Sequence, residues 1–185
     1  MASTETYLKR VEVFAQLLEK QFPTGKLTGI EIGVYKADFS YYMLERMPRL
    51  TMIMVDPFQH YKEFKREYSQ AWWDALYGRV VLKMDKFGKR CKMLRMTSEE
   101  AAKKLKGEAH LVFIDAMHDE QNVALDLTLW TPRILKKGIV GGHDYSMAKD
   151  AGGGGVIRAV DAFVQKKKLE LVTPDVDTVW YFIKR

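Results

Sequence analysis

Short apolar runs alternate along this chain with longer stretches whose apolar residues recur every three or four positions. Residues 4–22 place Tyr7, Val11, Phe14 and Leu18 on one face, the spacing of an amphipathic helix. Pro23, Thr24 and Gly25 end it. Residues 27–33 read as a buried strand, 38–47 as a helix stopped by Pro48, and 50–55 as a second strand closed by Asp56-Pro57. The stretch 58–90 is aromatic and mostly helical in pattern, and a third strand is expected over 92–96. Thr97-Ser98-Glu99-Glu100 has the form of a helix start, a hydroxyl cap followed by acids at the positive end. A fourth strand over 110–114, a helix over 122–135, a fifth strand over 139–142 and a helix over 156–167 follow. Strands over 169–172 and 178–183 close the pattern.

Alternating strands and helices imply a parallel sheet with helices on both faces. The last two strands are separated only by residues 173–177, too few for a parallel crossover, so they are expected to pair antiparallel. The expectation is an α/β fold. It has a doubly wound, mostly parallel seven-stranded sheet with an antiparallel last strand, in one domain over 1–185 with the N-terminal helix (1–24) packed on it.

Composition narrows the function classes. With 47% hydrophobic residues in 185, the chain folds rather than remaining disordered. The single cysteine, Cys91, excludes an internal disulfide framework and a Cys-rich zinc site. No apolar run approaches the ~18 residues of a membrane span. Residues 1–10 lack an apolar signal core, so a cytoplasmic location is expected. The net charge of +6 raises nucleic acid or an anionic ligand as partners. The densest basic runs, Lys166-Lys167-Lys168 and Lys103-Lys104, are not interleaved with aromatics, so nucleic acid is the less favoured partner.

In such sheets ligands bind beyond the carboxyl ends of the strands. The first strand ends in Glu31-Ile32-Gly33-Val34-Tyr35-Lys36-Ala37-Asp38. Gly33 permits a tight turn, and Glu31 is an acid inside an apolar run. Tyr35 and Ala37 stand where a dinucleotide fingerprint needs glycines, which argues against a dinucleotide oxidoreductase. Asp56, closing the second strand, can accept both hydroxyls of a ribose or cap its own turn. The fourth strand runs into Asp115-Ala116-Met117-His118 and the fifth into Gly142-His143-Asp144-Tyr145. Those acids and imidazoles can hold a divalent cation or supply a general base.

The segments Glu31-Ile32-Gly33-Val34, Val55-Asp56-Pro57-Phe58, Phe113-Ile114-Asp115-Ala116-Met117-His118 and Leu135 through Tyr145 carry a resemblance. In order and spacing the chain resembles the class I S-adenosylmethionine-dependent methyltransferases. Within them it is most similar to the macrocin-type sugar O-methyltransferases and their small stand-alone relatives. The resemblance implies that Glu31 and Gly33 border the methionine part of S-adenosylmethionine, that Asp56 holds its ribose and that Thr97 and Ser98 lie along its adenine. It implies that Asp115 borders the cofactor and, with Asp144 and His143, binds a divalent cation such as magnesium. His118 would be the base, with His143 the alternative base where no metal is present. Ala37 departs from the family pattern, in which glycine is common there, and His143-Asp144 departs from a pair of acids.

The implied activity is methyl transfer to a hydroxyl of a small acceptor, a sugar or natural product. A nucleic-acid methyltransferase and a non-catalytic nucleotide-binding fold are the alternatives. Homo-oligomerisation, or the 58–90 segment, is a candidate to complete the acceptor pocket. Trp72, Trp73 and Tyr77 read as core or as an acceptor wall, Gly152–Gly155 as a loop beside the site, and His60 and His110 as structural.

Overall fold

The computed structural model describes residues 4–60, 68–148 and 153–185. Its elements run α1 (Thr4–Gln21), β1 (Leu27–Ile32), α2 (Asp38–Arg46), β2 (Leu50–Val55), α3 (Gln70–Met84), β3 (Cys91–Leu94), α4 (Ser98–Lys104), β4 (Ala109–Ile114), α5 (Glu120–Trp130), β5 (Ile134–Gly142), α6 (Gly155–Lys167) and β6 (Trp180–Ile183). Among the described residues the sheet has six strands in the order β3-β2-β1-β4-β5-β6. All pairs are parallel except β5 with β6. The sequence pattern thus yields the α/β architecture and its antiparallel edge.

Differences from the expectation have local causes. The strand expected over 169–172 reduces to one bridge, in which Val172 exchanges both backbone hydrogen bonds with Tyr181. The fifth strand starts earlier, at Ile134, because Pro132 ends the preceding helix in a short 3₁₀ turn. Residues 61–67 of the long aromatic stretch, and Gly152, lie outside the described residues.

The core lies on both sheet faces. On one, α1 inserts Phe14, whose ring meets Phe113 edge-on at 5.2 Å and Phe39 at 5.6 Å. Gly141 lets that ring approach the sheet, since a Cβ there would lie 2.6 Å from Phe14 Cε1. On the other face Trp130, Trp180 and Phe182 are fully buried among residues of α5, α6 and the sheet. Among the described residues no helix is long and apolar enough to cross a membrane.

Candidate active site

The order of strands reverses between β1 and β4, so their carboxyl ends lie side by side at the switch point. Gly33 leaves β1 at φ +85°, and a Cβ there would stand 2.2 Å from the Asp115 carbonyl. Only glycine fits, because the backbone of the fourth-strand turn presses directly on it. Asp115 N in turn donates to Ile32 O at 2.8 Å. The two turns are therefore one packed unit.

Asp56 ties that unit to β2. Its Oδ2 accepts from Val34 N at 2.9 Å and Tyr35 N at 3.1 Å, and its Oδ1 accepts from Phe58 N at 2.7 Å. Asp56 thus caps its own turn and the turn after β1. Backbone amides use three acceptor positions of the carboxylate, and one on Oδ1 is left for a ligand. Within this turn Tyr35 and Ala37 take positive φ, 47° and 59°, conformations that cost a non-glycine residue roughly 1 kcal/mol each, and Ala37 N donates to Val34 O at 2.7 Å. Ala37 thus adopts the left-handed backbone that glycine would favour.

A cleft of about 250 Å³ opens beside this turn, reaching from Gly33 and Asp56 past Thr97 and Ser98 to Asp115. Its walls include Met117 and Leu125. Its charged lining among the described residues is Asp56, Glu99, Asp115 and Asp126, with no basic residue. Thr97 caps α4 reciprocally with Glu100, as the sequence indicated. Ser98 donates to Asp126 Oδ1 and accepts from Trp130 Nε1 at 2.8 Å. Asp126 is 4% exposed, and burial pushes its carboxyl up to about 6. It escaped sequence reading, although an acid on the Val123–Leu127–Trp130 face of an amphipathic helix was a usable signal.

Glu31 does not line the cleft; it is 2% exposed beneath it and accepts from the Ser40 hydroxyl. Burial, with the nearby charges of Asp115 and Asp56, raises its carboxyl to about 8. The folded state therefore favours the protonated form, and that stability is lost as pH rises from the unfolded value of 4.5 through about 8. Urea unfolding of wild type is expected to lose about 5 kcal/mol across that range through this group. The Glu31→Gln variant is expected to lose correspondingly less. Parallel pH profiles for the two proteins would contradict this placement.

Beyond Asp115 the rim carries a connected cluster. His118 Nε2 lies 2.9 Å from Asp144 Oδ2 and 3.8 Å from Asp115 Oδ1. Burial opposes charge on this ring, but the two carboxylates outweigh it and lift its pKa to about 10. Asp144 is half-buried too, yet the hydrogen bonds it accepts from both histidines hold it well below the usual carboxylate range. His118 is therefore an imidazolium at neutral pH. Gly155 lets α6 pack on this loop, since a Cβ there would lie 2.4 Å from the His118 carbonyl.

His143 sits differently. Its Nδ1 is 3.1 Å from Asp144, while its Nε2 lies 2.7 Å from Arg10 Nη2. A guanidinium has no acceptor, so Nε2 accepts and the ring proton resides on Nδ1. Burial lowers the affinity of this ring for a second proton, and Asp144 and Asp115 raise it above the ordinary value. The Arg10 guanidinium beside Nε2 opposes that second proton. Arg10 comes from α1 and is 2% exposed. It also pairs with Asp177 and, at 3.5 Å, with Asp115. Asp177 and Thr178 take positive φ, 45° and 52°, to reach the cluster. Consecutive strained residues of this kind, one of them β-branched, persist where the surroundings enforce them. Neither Arg10 nor Asp177 was legible as a site residue, because their partners lie 105 to 167 positions away. His110 is structural, accepting from Thr28 N at 3.1 Å.

Asp115, His118 and Asp144 are the group whose ligand atoms all lie within 4.8 Å of one another. His143, the histidine expected beside Asp115 and Asp144 as a ligand, is adjacent, with its two ring nitrogens facing Asp144 and Arg10.

A family model for a methyltransferase domain matches residues 30–145, from β1 to the turn after β5. The chain belongs to this methyltransferase family. Solved structures with the same fold include the O-methyltransferase NovP, with TM-score 0.70 and 16% identity, covering 97% of this methyltransferase and 79% of NovP. The methyltransferase PaMTH1 of Podospora anserina, solved with S-adenosylhomocysteine, has TM-score 0.69 and 14% identity over 95% and 77% of the two chains. The O-methyltransferase TomG of Streptomyces achromogenes, involved in tomaymycin synthesis and solved with S-adenosylmethionine, has TM-score 0.67 and 11% identity over 96% and 80%. No curated protein sequence matches the chain.

Proposed function

We propose that this methyltransferase binds S-adenosylmethionine in the acidic cleft and transfers its methyl group to a hydroxyl of a small acceptor at the His118–Asp144 rim. The cleft lining carries the reading: among the described residues it holds four carboxylates and no cation, beside apolar walls fit for a base. That charge repels the phosphates of a dinucleotide and attracts the sulfonium and ammonium of S-adenosylmethionine. The rim acids Asp115, Asp144 and Asp177 likewise favour a small neutral acceptor over a polyanion such as nucleic acid. The O-methyltransferases NovP and TomG, which share the fold, support oxygen as the acceptor atom.

The sulfonium carbon is already electrophilic, so the protein's task is to align the acceptor and receive its proton. His118 is the base of this reading. It must first give up the proton it shares with Asp144, so the metal-free reaction speeds up as pH rises toward about 10. A second reading has its own support, because Asp115, His118 and Asp144 form a donor set that fits a divalent cation. Bound there, such an ion would take the place of the His118 proton and lower the pKa of an acceptor hydroxyl.

The test is transfer of labelled methyl from S-adenosylmethionine to a panel of hydroxylated sugars and phenols, run with manganese, with magnesium and with chelator. Product methylated on oxygen is expected. Methyl found only on nitrogen, or only on nucleic acid, would overturn the acceptor assignment.

A further inference from the structure

A second cleft of about 250 Å³ lies between the β1–α2 turn and α3, and its electrostatics are the reverse of the first. Its charged lining among the described residues is Lys36, Arg79 and Lys83 against the single acid Asp38. Lys83 is already satisfied, bonding Asp38 Oδ1 at 2.5 Å and the Lys36 carbonyl at 2.9 Å. That pair is neutral, so Arg79 sets the sign of the cleft. Arg79 is exposed and forms no ion pair or hydrogen bond among the described residues.

The floor is apolar: Leu76 and Val80 are buried, and Trp72 is half-buried along one wall. Trp72 is fixed in place, stacked on Tyr68 at 3.8 Å and edge-on to Trp73 at 5.0 Å. A rigid indole beside an apolar floor and an unsatisfied guanidinium matches an anion carried on a flat apolar body. Guanidinium pairs with carboxylate, sulfonate or phosphate in a planar fork, and the indole offers surface to a ring at little entropic cost.

We propose that this cleft is a second ligand site, separate from the cofactor cleft, for a small aromatic anion such as an aryl carboxylate, sulfonate or phosphate. It stands on the cleft itself and does not depend on the methyl-transfer reading. Its occupant lies against Lys36, on the same turn whose amides grip Asp56.

The test is an NMR titration of the indole N–H resonances with 2-naphthalenesulfonate and with the uncharged 2-naphthalenemethanol, the Trp72 signal being assigned from Trp72→Phe. The sulfonate is expected to shift the Trp72 signal saturably and the alcohol to bind at least tenfold more weakly. Arg79→Glu is expected to weaken the sulfonate at least tenfold, with unchanged Trp130 and Trp180 signals reporting an intact fold. Excess S-adenosylmethionine is expected to leave the titration unchanged. Equal binding of alcohol and sulfonate, an Arg79→Glu protein that titrates like wild type, or displacement by S-adenosylmethionine would each overturn the proposal.

Discussion

Replacing Asp56 with alanine is expected to weaken S-adenosylmethionine binding by about 100-fold or more and to destabilise the fold by several kcal/mol, on the order of 3–5. One carboxylate satisfies the amides of Val34, Tyr35 and Phe58. Val34 and Phe58 are buried, so their orphaned amides would cost about 1–3 kcal/mol each. The affinity loss has a further source. Without the carboxylate, the strained backbone at Tyr35 loses the acceptor of its amide, and the turn over Gly33 relaxes into the cleft. Asp56→Asn should fall between, because its single carbonyl can serve the two amides of the β1–α2 turn but not Phe58 as well. Calorimetric titration and urea unfolding of the three proteins measure both effects. An Asp56→Ala protein that binds within threefold of wild type would show that the turn is held by other means.

The second large effect concerns His118. In chelator, turnover is expected to climb with pH on a limb governed by a group near 10, because the imidazolium held by Asp115 and Asp144 must lose its proton to act. His118→Gln should lack this limb and fall by roughly 10²–10⁴-fold, the usual contribution of a general base. Added manganese is expected to carry the wild-type limb to lower pH, since cation and proton compete for one nitrogen. A flat profile in chelator with unchanged turnover in His118→Gln would remove His118 from the chemistry and turn attention to His143.

The strand and helix alternation was legible because each element's apolar period matched its place between sheet and solvent. The antiparallel edge was legible from the length of one connection. Residues that close strands, such as Gly33, Asp56, Asp115 and Asp144, were legible because the fold class alone directs them to one rim. Arg10 and Asp177 were not. Arg10 reads as one more charged residue of an amphipathic helix, and only packing of Phe14 on Phe113 brings it beside His143. Asp126 was hidden in the same way within the apolar face of α5. The contact of Arg10 with His143 was hidden too, and its guanidinium occupies one nitrogen of that ring.

The most direct test is calorimetric titration of the wild-type protein with S-adenosylmethionine and, separately, with NAD. The acidic lining of Asp56, Glu99, Asp115 and Asp126 requires saturable binding of the first, in the micromolar range or about −8 kcal/mol, and none of the second. Binding of NAD without binding of S-adenosylmethionine would contradict the assignment of the cleft and of the reaction built on it.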